Sequence, residues 1–232
     1  MQLLAHMSTT NQNHRTERLA AGASITYDDI QAINGINARI VGYSNAKHYG
    51  FFKALFANED IQSLLILGVY HGRDIAFMLS VLERYCANRG VQIVGVDKFT
   101  DTACADWPEQ KHAMNWAQAG FGRAPAFETA LRNVQHPNVR LIKSTDSEYL
   151  ANTPRKFDVI YLDTSHDHET VSRQFRQIKR IANPGAVICG DDYSDESNAG
   201  GSWGVKRAVT EAFAHHGVFA DWIWFARVED LK

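Results

Sequence analysis

Three carboxylates stand where apolar runs end: Asp163 closes FDVIYL, and Asp191 and Asp192 close GAVICG. Runs of that length and composition read as strands buried in a parallel sheet. Neighbouring strands lie about 4.8 Å apart, so adjacent strands would bring their terminal acids together. Like charges that close repel or raise one another's pKa unless a cation or a proton stands between them. Magnesium takes carboxylate oxygens and keeps waters that a substrate oxygen can displace. The metal reading therefore needs Asp163 plus Asp191 or Asp192 as ligands of magnesium or a similar divalent cation. Successive side chains of a strand point to opposite faces, so Asp191 and Asp192 can both ligate only if the chain has turned after Gly190.

His166 follows Asp163 by three residues, in the turn before a helix that Ser165 would cap, with Asp167 and Glu169 in its first turn. A histidine there can take a proton from a substrate hydroxyl at neutral pH. His166 and Asp163 are thus the candidate catalytic residues. The chain has ten histidines, and only the adjacent acids set His166 apart from the rest.

A second set of residues reads as a nucleoside pocket. Gly68-Val69-Tyr70-His71-Gly72 closes another apolar run and precedes a helix, a place where backbone approaches a ligand closely. It is G-x-x-x-G rather than the dinucleotide G-x-G-x-x-G, and Tyr70 occupies the position of the glycine that admits a pyrophosphate. A cofactor without phosphates fits better. Asp97, with Lys98 after it, ends VGVDKF, where a carboxylate can accept both ribose hydroxyls. Thr145 and Asp146 follow a third run and would meet an adenine edge, although Ser-Thr-Asp-Ser is also ordinary turn chemistry. Gly68, Val69, Tyr70, Gly72, Asp97, Lys98, Thr145, Asp146 and Asp163 form the expected cofactor site.

Apolar strands, turns and amphipathic helices alternate to position these groups. The expected strands are 63–67, 91–96, 139–142, 158–162 and 186–189. Between them run helical stripes: Ile75, Leu79, Leu82 and Cys86; Val171, Phe175, Ile178 and Ile181; Val205, Val209 and Phe213. Such alternation predicts an α/β fold, a Rossmann-like doubly wound and mostly parallel sheet with helices on both faces. Ligands of open sheets lie outside the carboxyl ends of the strands, so all the candidate residues would ring one crevice. Asn183-Pro184-Gly185 reads as a helix stop before the fifth strand, and the tail VFADWIWFARV as one or two further strands. Residues 1–23 read as a flexible polar arm, 24–60 as an N-terminal helical cap, and 61–232 as the cofactor-binding domain. The aromatic-rich segment from Phe99 to Asn133 is read as shaping a substrate pocket, and Gly200-Gly201-Ser202-Trp203-Gly204 as a lid with one aromatic.

Composition narrows the function. The 232 residues suit one domain. A net charge of −2 supplies no basic stripe to neutralise phosphates, so nucleic acid is not an expected partner. Three cysteines without metal-like spacing argue against a disulfide framework. No apolar run reaches membrane-spanning length, and the N-terminal segment lacks the apolar core of a secretion signal. A cytoplasmic protein acting on a small molecule is expected, with a homo-oligomer left open.

The chain resembles the class I S-adenosylmethionine-dependent methyltransferases, and within them the group of macrocin O-methyltransferase and cephalosporin-hydroxylase-like proteins, over roughly residues 61–215. LGVYHG is similar to that group's glycine motif, VGVDKF to its ribose-binding acid, YLDTSH to its fourth-strand motif, and GDDY with GVKRAV to its fifth-strand and helix motif. The resemblance implies S-adenosylmethionine as cofactor. It also implies Gly68 and Gly72 at the methionine portion, Asp97 on the ribose, and magnesium at Asp163, Asp191 and Asp192 beneath an acceptor hydroxyl of a small molecule. Two positions depart from the group: Ile66 and Ser165 stand where it often carries acids, and the second shifts the proton-accepting role to His166. Metal-independent methylation, nicotinamide-dependent oxidoreduction and cofactor binding without catalysis are the competing readings.

Overall fold

The computed structural model describes residues 17–86, 90–100, 124–196 and 203–232. Cys104, Trp107, Trp116, Phe121 and the Gly200-Gly201-Ser202 part of the expected lid lie outside them.

Seven strands form one sheet in the order β3-β2-β1-β4-β5-β7-β6. They are β1 (Ser63–Leu67), β2 (Gln92–Asp97), β3 (Val139–Lys143), β4 (Phe157–Leu162), β5 (Ala182–Gly190), β6 (Gly217–Phe219) and β7 (Ile223–Arg227). The first five pair in parallel, and β7 joins β5 antiparallel, with β6 antiparallel on β7. The tail thus supplies two strands. The fifth strand begins four residues before its expected start, because helix ends at Ile181 and Ala182 already pairs with Phe157. Asn183-Pro184-Gly185 therefore lies inside the strand, where the register shifts between Phe157 and Val159.

Helices α1 (Tyr27–Arg39), α2 (Ala46–Asn58) and α3 (Arg73–Tyr85) cover one face. Helices α5 (Asp146–Asn152), α6 (His168–Ile181) and α7 (Val205–Ala212) cover the other, and α4 (Phe127–Asn133) lies before β3. The strand period of two divides the core accordingly. Leu64 and Ile66 of β1 pack with α1, α2 and α3, whereas Leu65 and Leu67 pack with α6 and α7. The segment expected as a cap is a full layer of this core: Tyr49, Phe51, Phe52, Leu55 and Phe56 of α2 are all completely buried. Its attachment also uses charge. Arg227 of β7 donates from Nη1 and Nη2 to both carboxylate oxygens of Glu59, and from Nη1 to Gly185 O at 3.0 Å.

Both cap helices start at capping boxes, in which an N-cap side chain and the third helical residue satisfy each other's backbone N–H. For α1 these are Thr26 and Asp29. For α2 they are Asn45 and His48, an unusual use of an imidazole with consequences for the site.

Candidate functional site

Register brings the strand ends together. Leu67 of β1 lies beside Val96 of β2 and Leu162 of β4, and Leu162 lies beside Gly190 of β5. The next residues are therefore neighbours, with Gly68 N donating to Val96 O at 2.9 Å, Asp163 N to Leu67 O at 2.8 Å, and Asp191 N to Leu162 O at 3.1 Å. The strand order reverses between β1 and β4, which is where open α/β sheets form a ligand crevice. Gly68 has φ +89°, and a Cβ there would stand 1.6 Å from the carbonyl oxygen of Asp163. The close approach that demands this glycine is thus to the neighbouring strand end.

Asp97 reaches back across the glycine turn. Its Oδ2 accepts from Val69 N and Tyr70 N, both at 2.9 Å, and its Oδ1 accepts from Phe99 N at 2.7 Å. A carboxylate accepts about four hydrogen bonds, so one acceptor position is left for a ligand while the turn holds this shape. Tyr70 has φ +51° and stacks on Tyr43 from the cap, with centroids 5.9 Å apart. Lys98 is half-buried next to Asp97. Thr145 is the N-cap of α5, and Asp146 accepts a hydrogen bond from Gln174 Nε2, which also donates to Thr164 Oγ1 at 2.7 Å. Gln174 so links the expected adenine side of the crevice to the loop after Asp163.

The acids divide into two groups. Asp192 adopts φ +57°, so the chain turns directly after Asp191 and the two side chains take different partners. Asp192 Oδ2 lies 2.8 Å from His166 Nε2, and Asp163 Oδ1 lies 3.9 Å from the same nitrogen. Asp163, His166 and Asp192 each offer a ligand atom, all within 4.8 Å of one another. Asp191 instead meets His48 of α2, with Nε2 2.8 Å from Oδ2. The sequence expectation grouped Asp191 with the metal acids; here His166 takes that place among the three clustered groups.

His48 was invisible as a site residue in the sequence. Asn45 N donates to its Nδ1 at 3.1 Å, so that nitrogen keeps its lone pair and Nε2–H donates to Asp191. Burial by itself would weaken the proton affinity of the ring, but the hydrogen bond to Asp191 and the charges of Asp191, Asp74 and Asp163 outweigh it and lift the pKa to about 9. A second proton would have to sit on Nδ1, against the Asn45 N–H, so the helix cap opposes what the carboxylates favour. Asp191 itself is pushed up to about 7, chiefly by burial and further by Asp192 and Asp163, against the lowering effect of His48. Burial raises Asp192 as well, with His166 opposing. It lifts Asp74, at the start of α3, to about 6. Burial and mutual repulsion thus raise the proton affinity of this group of acids. The one signal for His48 was its position three residues after Asn45, where a capping box places a side chain; nothing local pairs it with a residue 143 positions away.

Asp167, rather than Ser165, is the N-cap of α6: its Oδ1 accepts from Thr170 N at 2.8 Å. Trp203 and Gly204, the described end of the expected lid, lie against this loop. Gly204 N donates to His166 O at 2.8 Å, and the Trp203 ring centroid is 4.5 Å from that of His166. Trp222, from the β6–β7 turn, lies 6.2 Å beyond Trp203. Of the expected pocket segment, Phe99 and Phe127 pack edge to face at 5.3 Å.

Residues 65–193 match a family model described as a methyltransferase domain. Among solved structures, the O-methyltransferase NovP aligns with a TM-score of 0.62 at 16% identity, over 85% of this chain and 95% of that one. The SAH-bound methyltransferase PaMTH1 of Podospora anserina aligns at 0.56 and 11% identity, over 97% and 94%. The calicheamicin methyltransferase CalS11 aligns at 0.51 and 15%, over 94% and 91%. Likeness at these identities is likeness of fold. No curated protein matches the chain.

Proposed function

The chain belongs to the methyltransferase-domain family and is a class I S-adenosylmethionine-dependent methyltransferase; we propose that it methylates a hydroxyl of a small molecule with the help of a divalent cation. The observation that carries this reading is the convergence of Asp163, His166 and Asp192 at the switch point of the sheet. Two carboxylates beside a third, buried acid suit magnesium or a similar cation, and Asp163 and Asp192 would hold it, with Asp191 behind them. When bound, S-adenosylmethionine would supply a methyl group on a sulfonium, and the cation would lower the pKa of the acceptor hydroxyl.

The chain's own residues then have defined tasks. The Gly68–Gly72 turn, held by Asp97, shapes the donor side of the crevice, and Thr145 with Asp146 borders the adenine end. The His166 imidazole takes the proton of the acceptor hydroxyl, and Asp192, 2.8 Å from its Nε2, stabilises the imidazolium that results. The Trp203 ring lies against the imidazole, with centroids 4.5 Å apart, and limits its contact with water. Fixing donor and acceptor in line supplies a large contribution to a displacement of this kind.

Calorimetry with S-adenosylhomocysteine, followed by turnover of a library of hydroxyl compounds with and without EDTA, tests the reading. Binding of the demethylated product, EDTA-sensitive turnover, and its loss in Asp163→Ala and His166→Asn are expected. Absence of binding would refute it. The His166–Asp192 pair also favours a second reading, because an aspartate can hold and polarise the base without metal; turnover indifferent to EDTA would select that one.

A further inference from the structure

Behind Asp191, on the α6 side of the sheet, lies a hollow of about 10 Å³ lined by Leu162, His166, Val171, Gln174, Asp191 and Trp224 among others. Three of these residues bring a buried polar atom without a hydrogen-bond partner among the described residues: Asp191 Oδ1, Gln174 Oε1 and Trp224 Nε1. Trp224 and Gln174 are each only 1% exposed, so bulk solvent does not satisfy them. A buried polar atom left unpaired costs about 1–3 kcal/mol, and three in one place call for a common partner.

The chemistry of that partner follows from the atoms. Indole N–H is a donor only, whereas a carboxylate oxygen and an amide oxygen are acceptors. A metal ion or ammonium cannot accept from Trp224, and an anion would be repelled by Asp191. Only a species that accepts once and donates twice satisfies all three, and the volume is about what one water requires. We propose that this hollow is a binding site for a single structural water, which accepts from Trp224 Nε1 and donates to Asp191 Oδ1 and Gln174 Oε1.

The site gives Trp224 a role in the acid rim. Asp191 is gripped at Oδ2 by His48 of the helical layer and at Oδ1, through the water, by the antiparallel strand β7. Its carboxylate plane is thereby fixed from both faces of the sheet, and with it the turn that presents Asp192 to His166. Trp224 is a positioning residue, and Gln174 joins the same water to the loop after β4. The functional part of this claim rests on the proposed methyl transfer at the neighbouring acids; the water itself does not.

The test uses the full chain labelled with 15N-tryptophan. The indole N–H of Trp224, assigned by its loss in Trp224→Phe, is expected to exchange slowly and to show a cross-peak to bound water. A crystal structure at high resolution is expected to show one water on the three atoms. A direct Trp224–Asp191 hydrogen bond, or a hollow without density, would overturn the proposal. Phenylalanine keeps the ring contacts with Phe175 and Phe213, so Trp224→Phe should bind S-adenosylhomocysteine as the wild type does while kcat falls about three- to tenfold. Unchanged kcat would remove the positioning role. A wild type without any turnover would count against the methyl-transfer reading and leave the water observations to decide the site.

Discussion

Gly68→Ala is the substitution whose cost the geometry defines most closely. The added Cβ would stand 1.6 Å from Asp163 O and 2.5 Å from its carbonyl carbon, while ordinary contact begins at 3.4 Å. The difference, 3.4 − 1.6 or about 1.8 Å, must come from separating backbone from backbone, because no flexible side-chain end is involved. That separation breaks the 2.8 Å bond from Asp163 N to Leu67 O, at about 1 kcal/mol. Alanine at φ +89° adds about 1–2 kcal/mol of left-handed strain. With lost packing at the β1–β4 junction, a destabilisation of about 3–5 kcal/mol is expected, near the upper end for single substitutions. For a chain of this size that corresponds to a Tm lower by roughly 6–20 °C, read by calorimetry. Gly185→Ala is the matched control. Gly185 has φ +79° but nothing within 4 Å of its missing Cβ, so it isolates the conformational part, about 1–2 kcal/mol. Displacing Asp163 should also abolish S-adenosylhomocysteine binding in Gly68→Ala alone. Equal losses in the two variants, or a Gly68→Ala protein that binds normally, would refute the claim that this glycine is required by the neighbouring strand.

Three further outcomes are expected. Gly35 lies on the exposed side of α1 with open space around it, so Gly35→Ala should stabilise the protein by about 0.5–1 kcal/mol in urea titrations, and a loss would show that α1 is not helical there. Glu59→Ala leaves Arg227 buried with Gly185 O as its remaining hydrogen-bond partner among the described residues, which should cost about 3–5 kcal/mol; an effect below 1 kcal/mol would mean the pair is open to water. Asp29 is buried, and although burial would raise its pKa, hydrogen bonds from Lys53, Tyr85 and Thr26 hold it well below the carboxylate range. Its stabilising contribution is therefore complete above the unfolded pKa of about 3.9 and is lost as pH falls below that value toward the folded pKa. The stability gap between wild type and Asp29→Asn should narrow from pH 5 to pH 3, and a constant gap would contradict the linkage.

Much of the fold was legible because it depends on local pattern. The apolar runs at 63–67, 91–96, 139–142 and 158–162 could only be satisfied between two helical layers, and Asp97 and Asp163, which follow two of them, had to share one edge. The fifth strand was misplaced by four residues because Asn183-Pro184-Gly185 breaks helix and strand alike in sequence terms. Pairing of Ala182 with Phe157 decided otherwise. The helical layer at 24–60 was legible as helices, but its service to the core was not, since amphipathic stripes do not say which sheet face they cover.

The sequence by itself determined that Gly68, Asp97, Asp163, Asp191 and Asp192 would lie at one rim, since a parallel sheet leaves strand ends no other place. Only the tertiary structure decided how those acids divide. A left-handed turn at Asp192 sends it to His166, while Asp191 goes to a histidine from a different layer and lines the hollow beside Trp224. Strand periodicity fixes where a backbone ends, but the partner a charge finds depends on which side chains the packed layers bring within about 3 Å of it. That distance joins residues which nothing in their local sequence connects.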